Sequence, residues 1–243
     1  MKKATMIWLI VGAVLILSGA VLFTAAMSAA DWDLNILSNS EYETVSHEIT
    51  DEFQNIEIDI STADITILPA DTEKAEVICY EEKKTGYTVA VQNGTLFITE
   101  KDDREWYDHI GFGSFEIPKI TVYLPQDSYN SLSVETSTGD INLTDITCNK
   151  IVIESNTGDT TLENVIATKT FDLKCDTGDI EFTLCDATEI FAETDTGDIY
   201  GTLLTEKIIF AQSDTGDIRV PQSMNGGRCE LSTDTGDITI EIR

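Results

Sequence analysis

The sequence predicts an all-β fold: a parallel β-helix, or β-solenoid, of 19–20-residue coils, preceded by one N-terminal transmembrane helix. Three observations predict it. A Thr-Gly-Asp motif occurs six times at near-constant spacing, mostly apolar residues alternate on both sides of each motif, and an uncharged apolar run lies near the N-terminus. A constant period of this length is typical of solenoids, in which a repeat buries its apolar side only by stacking on its neighbours.

The glycine of each motif marks one repeat. The glycines are separated by 19 or 20 residues and stand at Gly139, Gly158, Gly178, Gly197, Gly216 and Gly236. Mostly apolar residues recur seven and five positions before each glycine and two and four positions after it, which is the period of a strand. Glycine between the two runs is free to take a positive φ. Each repeat is therefore predicted as strand, tight turn, strand and return.

An uncharged apolar run covers residues 7–27. It is long enough to cross a bilayer, which takes about 20 residues. Lys2 and Lys3 precede it, and the next basic residue is Lys74. This asymmetry predicts a single-pass protein of the cell membrane with its C-terminal domain outside the cytoplasm. A cleaved signal peptide is the alternative, because Ser28-Ala29-Ala30 resembles a cleavage site.

The remaining chain is expected to be β-rich before the first clear motif. A hairpin is predicted at Asn93-Gly94. Residues 60–67 copy the repeat with Ala63 in place of glycine, which suggests that the solenoid begins there. The last strand, residues 240–243, is expected to form the exposed edge of the stack. The predicted segments are a cytoplasmic tail (1–6), the transmembrane anchor (7–27), a stalk (28–44), an N-terminal β region with hairpin and aromatic loop (45–130) and the solenoid proper (131–243).

The charge balance restricts the partners. The chain has 44 acidic and 15 basic side chains, a formal net charge of −29. Binding to nucleic acid needs many Lys and Arg contacts to phosphate, so it is not expected, whereas cationic partners fit. The five cysteines are an odd number without metal-site spacing: Cys79, Cys148, Cys175, Cys185 and Cys229. Cys175 and Cys229 occupy positions of the repeat, and we expect these two to be small core residues rather than disulfide partners.

Two rows of side chains flank the predicted turn. The residue after each glycine is always aspartate: Asp140, Asp159, Asp179, Asp198, Asp217 and Asp237. The second row lies two positions before each glycine: Ser137, Asn156, Asp176, Asp195, Asp214 and Asp234. Like charges about 4.8 Å apart repel by about 0.9 kcal/mol per pair in water. Either the carboxylates cap turn N–H groups, or the stacked carboxylates of the two rows bind a cation such as Ca²⁺, the only cofactor considered.

An aromatic stretch at residues 101–115 interrupts the β pattern. It contains Trp106, Tyr107, His109 and Phe112, which form either a binding loop or a lid over the solenoid core. The only other histidine is His47, in a predicted edge strand. Both histidines are expected to lie at the surface, since neither has a nucleophile or metal-ligand partner nearby in sequence.

The Ile120-x-Val122-x-Leu124-Pro125 strand and the Thr-Gly-Asp-Ile repeats, together with the N-terminal anchor, resemble the bacterial putative-adhesin domain of unknown function. Its members include envelope-stress membrane proteins of the Lia type. The resemblance covers roughly residues 45–243 and implies a β-solenoid displayed outside the cell. It implies no catalytic residues.

Catalysis is not expected. Asp-Thr-Gly matches the active-site triplet of aspartic proteases, but those enzymes need two converging carboxylates, whereas stacked repeats place theirs in a row. The sequence favours a non-catalytic, adhesin-like interaction or scaffold module at the cell envelope, contacting envelope polymers or cationic ligands. Two alternatives remain open: an envelope-stress signalling accessory that contacts a membrane signalling protein, and a glycan-active β-helix enzyme, for which two suitably spaced carboxylates would suffice.

Overall fold

The structure, a computed structural model, describes residues 3–29, 31–32, 41–83, 85–102 and 116–243. The chain divides into two units. One contains the helix α1, Lys3–Ala29. The other contains the strands and begins at residue 41.

The first strands lie before the first Thr-Gly-Asp motif. They are β1 (Tyr42–Ile49), β2 (Asn55–Thr62), β3 (Asp64–Pro69), β4 (Ala75–Glu82), β5 (Thr85–Gln92), β6 (Thr95–Asp102) and β7 (Lys119–Leu124). The strands of the motif region are β8 (Ser128–Thr138), β9 (Ile141–Thr144), β10 (Thr147–Thr157), β11 (Thr160–Glu163), β12 (Ile166–Thr177), β13 (Ile180–Thr196), β14 (Ile199–Leu203), β15 (Lys207–Thr215), β16 (Ile218–Arg219), β17 (Gly227–Thr235) and β18 (Ile238–Ile242).

Strands β2, β3 and β8 to β18 form seven coils of a parallel β-solenoid, numbered here in chain order. Their residue ranges are 55–69, 128–144, 147–163, 166–183, 186–203, 207–219 and 227–242 for coils 1 to 7. Adjacent coils pair in parallel and in register: Leu132 of coil 2 lies opposite Ile151 of coil 3, which lies opposite Phe171 of coil 4. The predicted fold class is confirmed.

The core is a narrow apolar column inside the coils. The inward positions predicted from the motif are at most 3% exposed in coils 1–5 and 7, apart from Gly201. The largest of these side chains, Phe171 and Phe182, stack with their ring centroids 6.2 Å apart. Because each coil contributes only a few such side chains, stability must come from stacking.

Coil 1 is the degenerate copy of the repeat. Its strand β2 pairs with β8 in parallel, and Ile56 lies opposite Leu132. After β3 the chain therefore leaves the stack, and it returns at β8. The segment between them contributes β4 to β7, of which β6 and β7 run parallel to β2 and β3, while β5 and β4 follow antiparallel. Strand β1, which precedes coil 1, pairs antiparallel with β4.

The predicted hairpin is confirmed between β5 and β6. Asn93 and Gly94 have φ values of +51° and +76°. Positive φ at both central residues is the requirement of a type I′ turn, which explains the Asn-Gly sequence.

The stacking order departs from the chain order at the C-terminal end. Strand β17 pairs with both β13 and β15, and β18 pairs with both β14 and β16. Coil 7 is therefore inserted between coils 5 and 6, and the order is 1-2-3-4-5-7-6. The expectation that residues 240–243 form the exposed edge is only partly confirmed. Ile238 and Thr239 of β18 pair on both sides, residues 240–242 pair with β14 alone, and the coil at the end of the stack is coil 6.

Two glycines let the chain enter between these coils. A Cβ on Gly226 would lie 1.8 Å from the carbonyl oxygen of Glu206, and one on Gly227 would lie 1.9 Å from that of Thr188. Real side chains cannot approach backbone so closely, so the insertion of coil 7 depends on these two positions.

The acidic ridge as candidate functional site

The aspartate that follows each glycine forms one hydrogen-bonded file along the solenoid. Its Oδ1 accepts a hydrogen bond from the backbone N–H of the equivalent aspartate on the next coil in the stack. In stacking order the file is Asp64, Asp140, Asp159, Asp179, Asp198, Asp237 and Asp217, with N···O distances of 3.3, 3.0, 2.9, 2.7, 2.7 and 2.7 Å.

These bonds differ from the expectation that each carboxylate caps its own turn. The donor lies on the neighbouring coil, so the file connects coils to one another. A charge-assisted bond of this kind is roughly twice as strong as a neutral one. It offsets the repulsion of about 0.9 kcal/mol between adjacent carboxylates at strand spacing.

The glycines hold the coils close enough for these bonds. Gly158 has φ +131°, and a Cβ there would lie 2.2 Å from the carbonyl oxygen of Gly139. The equivalent distances at the other five motif glycines are 1.9–2.1 Å. Ala63 begins the row, and no described coil precedes it in the stack, so the glycine-to-glycine contact of the other coils has no counterpart at this position.

A row of hydroxyl and thiol groups lies three positions before the glycine, at the same turn of each coil, which we call the corner. Thr194 Oγ1 donates to the carbonyl oxygen of Gly178 at 2.9 Å, and Thr233 and Ser213 bond the equivalent glycines at 3.0 and 2.8 Å. Cys175 Sγ takes the same place at 3.4 Å. Two members of the row differ: Thr136 Oγ1 donates to the carbonyl oxygen of Thr138 in its own turn at 3.4 Å, and the buried Oγ of Ser155 has no partner within the described residues. Each corner is thus fixed through both backbone and side chains.

The second acidic row is exposed throughout. In stacking order it reads Ser61, Ser137, Asn156, Asp176, Asp195, Asp234 and Asp214. The first three residues are neutral and the last four are acidic, so the edge is two carboxylates wide only on coils 4, 5, 7 and 6. We call this double row on those four coils the acidic ridge. The second-row carboxylates accept no bond from the neighbouring coil among those described, which leaves their oxygens facing solvent.

The family follows from the match of the chain to known proteins. A sequence profile described as Toastrack DUF4097 matches residues 53–243, which is more than half of the chain. The chain belongs to this Toastrack family. The resemblance drawn from the Thr-Gly-Asp repeats is confirmed. No curated protein matches the chain.

Three solved structures illustrate the similarity of this Toastrack chain to known folds. A putative adhesin from Bacteroides fragilis NCTC 9343 is 21% identical, with 82% of this chain and 97% of that one covered and a TM-score of 0.49. A putative cell adhesion protein from Clostridium sporogenes ATCC 15579 is 12% identical, with coverage of 83% and 100% and a TM-score of 0.48. A putative adhesin from Parabacteroides distasonis ATCC 8503 is 10% identical, with coverage of 83% and 98% and a TM-score of 0.44.

All five cysteines of the Toastrack chain are buried and free, which confirms the prediction made for Cys175 and Cys229. Burial raises the pKa of the Cys79 and Cys229 thiols to about 12 and that of Cys185 to about 11. Thiols with such pKa values remain protonated at neutral pH, so these cysteines act as core residues and not as nucleophiles.

His47 is half-buried on strand β1, which differs from the expectation that it lies at the surface. Its Nε2 is buried without a partner among the described residues. Glu81 is 8% exposed, and its carboxylate accepts a hydrogen bond from the N–H of Tyr87 at 2.9 Å. Burial raises the pKa of Glu81, and the nearby His47 opposes this shift. His109, Trp106, Tyr107 and Phe112, predicted to form a binding loop, lie outside the described residues.

A groove of about 400 Å³ lies on the outer face of coils 4, 5, 7 and 6. Phe191 and Phe210 line it with Glu230 on the strand between them, and Arg228 lies over the Phe191 ring at 5.7 Å. Sequence reasoning missed this groove. The signal was present, because both phenylalanines stand six residues before the glycine, between two inward positions.

No group of three or more His, Cys, Asp or Glu side chains in the described part of the Toastrack chain is arranged to hold a metal ion. Carboxylates of the first row instead accept hydrogen bonds from backbone N–H groups of the neighbouring coil. The calcium site considered from the sequence therefore stays a prediction.

Proposed function

We propose that this Toastrack protein is a non-catalytic β-solenoid, anchored in the cell membrane by α1, that serves as an adhesin-like interaction or scaffold module outside the cytoplasm. The acidic ridge is its contact surface for cationic peptides and envelope polymers. The observation that carries this proposal is the second acidic row: its four carboxylates are stacked at strand spacing and point to solvent, while the first row is occupied in holding the coils together.

The bonding of the first row supports a non-catalytic role. Aspartic proteases need two carboxylates that converge and share a proton. Here the Asp-Thr-Gly triplets repeat along one edge, as in Asp176, Asp195 and Asp234. Five of the six aspartates after a glycine accept a hydrogen bond from a backbone N–H, and the sixth, Asp217 at the end of the stack, accepts one from Arg219. The repeated Thr-Gly-Asp turn therefore has a structural role in this proposal, and its aspartates do not form a catalytic pair.

The anchor is supported by the length and composition of α1. Residues 10–29 could span a membrane by these criteria, which a signal sequence near the N-terminus would also satisfy. Mass spectrometry of the protein extracted from membranes tests this part. A retained N-terminal segment supports the anchor, and a mature chain that begins near Asp31 contradicts it.

The contact surface is tested by a charge-matched comparison. The ridge variant combines four substitutions: Asp176→Asn, Asp195→Asn, Asp214→Asn and Asp234→Asn. These side chains are exposed and, among the described bonds, accept none from the neighbouring coil. The control removes the same charge from another exposed row of the solenoid through Asp59→Asn, Glu135→Gln, Glu154→Gln and Glu193→Gln.

The full chain in detergent is tested for binding to purified cell wall and to a lysine-rich peptide. The ridge variant is expected to lose at least tenfold in affinity for either probe while the control binds like the native protein. Equal losses in both variants would indicate nonspecific charge attraction and contradict a defined surface. Release of reducing sugar from the cell wall would contradict the non-catalytic role.

Ca²⁺ is tested separately, because oxygen-rich rows suit hard cations. Titration by calorimetry with millimolar Ca²⁺ on the native chain and the ridge variant gives the answer. Heat released by the native chain alone would place the ion on the ridge, and no heat from either would end the calcium prediction.

A further inference from the structure

Coil 6 ends the stack, and each of its two strands has one edge without a partner among the described strands. Strand β15 pairs only with β17 among the described strands, and β16 pairs only with β18. The carbonyl oxygen of Thr215 faces coil 7, where it accepts from Gly236 N–H at 3.0 Å. Because ladder bonds alternate along a strand, the N–H and C=O groups of Ile208, Phe210 and Gln212 point away from the stack.

The core is open at the same end. The inward residue two positions after the glycine is Ile218 in coil 6, and it is 43% exposed. Its equivalents Ile199 and Ile238 are fully buried. Ile209 and Ala211, which face inward from β15, are only partly buried. Coil 6 therefore presents both free backbone groups and uncovered apolar side chains.

The middle of strand β15 carries none of the usual protection of an edge strand. Residues 208–213 contain no charge, glycine or proline. Natural edges carry charges, proline or bulges that prevent pairing with another chain. Lys207 would be such a charge, but its side chain is buried at 3% exposure and paired with Asp186. On the outer face, Phe210 is 57% and Ile208 36% exposed.

Charge favours a second copy of the same chain. Within coil 6, Lys207 and Arg219 balance Asp214 and Asp217, so the coil has net charge zero in a protein of net charge −29. An antiparallel pairing of two β15 strands centred near Phe210 would separate the two Asp214 residues by roughly 20 Å, well beyond the Debye length of about 8 Å. A parallel continuation would instead place further carboxylates about 4.8 Å from the last rung.

We infer that two copies of this protein associate end to end through coil 6, with β15 of each pairing antiparallel about a two-fold axis near Phe210 and Ala211. Such an isologous contact uses the same surface on both copies and closes after two subunits, so it yields a dimer and not a filament. It pairs the free N–H and C=O groups of both strands and covers the exposed apolar side chains.

The first test is a cysteine scan in the full chain in detergent micelles. Single substitutions Ile208→Cys, Phe210→Cys and Gln212→Cys are oxidised under mild conditions. Glu135→Cys, at the position of Gln212 but on coil 2, is the control. The native cysteines are buried and do not compete. We expect disulfide dimers at residue 210 or 212, or both, at least tenfold faster than at Glu135→Cys, and slower formation at residue 208.

The second test is the mass of the native complex by sedimentation. Phe210→Lys places two like charges at the axis and is expected to weaken the dimer at least tenfold. Val152→Lys, the same change on the same outer column of coil 3, is expected to leave it intact. Three results would each overturn the inference: a monomeric native chain, a dimer insensitive to Phe210→Lys, as association through α1 would give, and cross-linking no faster than in Glu135→Cys. Occupation of β15 by a different protein would also appear as a chain that does not dimerise.

Discussion

Oδ1 of Asp179 accepts a hydrogen bond of 2.7 Å from the backbone N–H of Asp198, and these two residues lie on adjacent coils. The same relationship repeats along the stack, so an acidic side chain that raises the electrostatic energy of the edge also joins its coils. The contribution of each carboxylate to the stability of the stack is therefore the hydrogen bond between coils minus the repulsion from the neighbouring carboxylates.

Substitutions at Asp179 separate these two effects. Asp179→Asn keeps an oxygen acceptor and removes a charge between two like neighbours, so the free energy of unfolding at low salt is expected to stay within about 0.5 kcal/mol of native or to rise. Asp179→Ala also loses the acceptor and is expected to cost about 1–2 kcal/mol. Denaturant unfolding of the full chain measures both. If Asp179→Asn lowers the free energy of unfolding as much as Asp179→Ala does, then the negative charge of Asp179 is itself stabilising. A cation bound to the row would produce that result.

The motif glycine has a steric role that alanine cannot fill. Gly158→Ala would place its Cβ 2.2 Å from the carbonyl oxygen of Gly139 at φ +131°. We expect a loss of about 3 kcal/mol or more of unfolding free energy, because both the backbone conformation and the coil spacing must change. The control is Ala63→Gly, at the start of the same row, which is expected to cost no more than about 1 kcal/mol. Similar losses at the two positions would contradict the close approach.

The hydroxyl row offers a pair of residues with opposite expectations. Thr194→Val removes the donor to the carbonyl oxygen of Gly178 and is expected to destabilise by about 1–2 kcal/mol. Ser155→Ala removes a buried hydroxyl that has no partner among the described residues, so it is expected to be neutral or stabilising. Thermal unfolding of both variants gives the comparison, and a larger loss for Ser155→Ala would contradict the bonding described.

Glu81 makes stability depend on pH. Burial raises its pKa in the folded protein, so the folded state binds the proton more tightly than the unfolded state. The resulting stability is fully present below the ordinary pKa of glutamate and is lost as the pH rises through the raised value. Glu81→Gln keeps an acceptor for the Tyr87 N–H and is expected to stabilise the protein at pH 7. Its advantage should disappear at acidic pH, and an advantage that grows on acidification would contradict this assignment.

The buried cysteines predict slow thiol chemistry. Because burial raises the pKa of Cys229 and Cys79 to about 12, a thiol reagent at pH 8 is expected to label none of the five cysteines in the native chain and all five in denaturant. Fast labelling of any one of them before unfolding would show that its part of the core opens.

Local signals made most of the fold predictable. The spacing of the glycines and the alternation around them identified the coils and their inward residues, and Asn93-Gly94 identified the hairpin. Even the degenerate turn at Ala63 kept enough of the repeat to be placed. These features depend on a few neighbouring residues, which is why the sequence alone reveals them.

The order of the last two coils could not be predicted in this way. Coils 6 and 7 carry the same motif, so either could follow coil 5 as far as local pattern is concerned. The choice depends on pairing between distant strands, and its local trace is the Gly226-Gly227 pair that passes between Glu206 and Thr188. The division of the second row into a neutral and an acidic part also becomes visible only once the stacking order is known.

Disulfide trapping of the coil order tests the stacked architecture most directly. Glu193 lies opposite Ser232 on the adjacent strand. Gln212, which also pairs with Ser232, is one strand further away. The double variant Glu193→Cys with Ser232→Cys is predicted to form an intramolecular disulfide readily, because adjacent strands lie within the Cα separation that a disulfide needs. Glu193→Cys with Gln212→Cys is predicted to form none, and the reverse result would show that the coils stack in chain order.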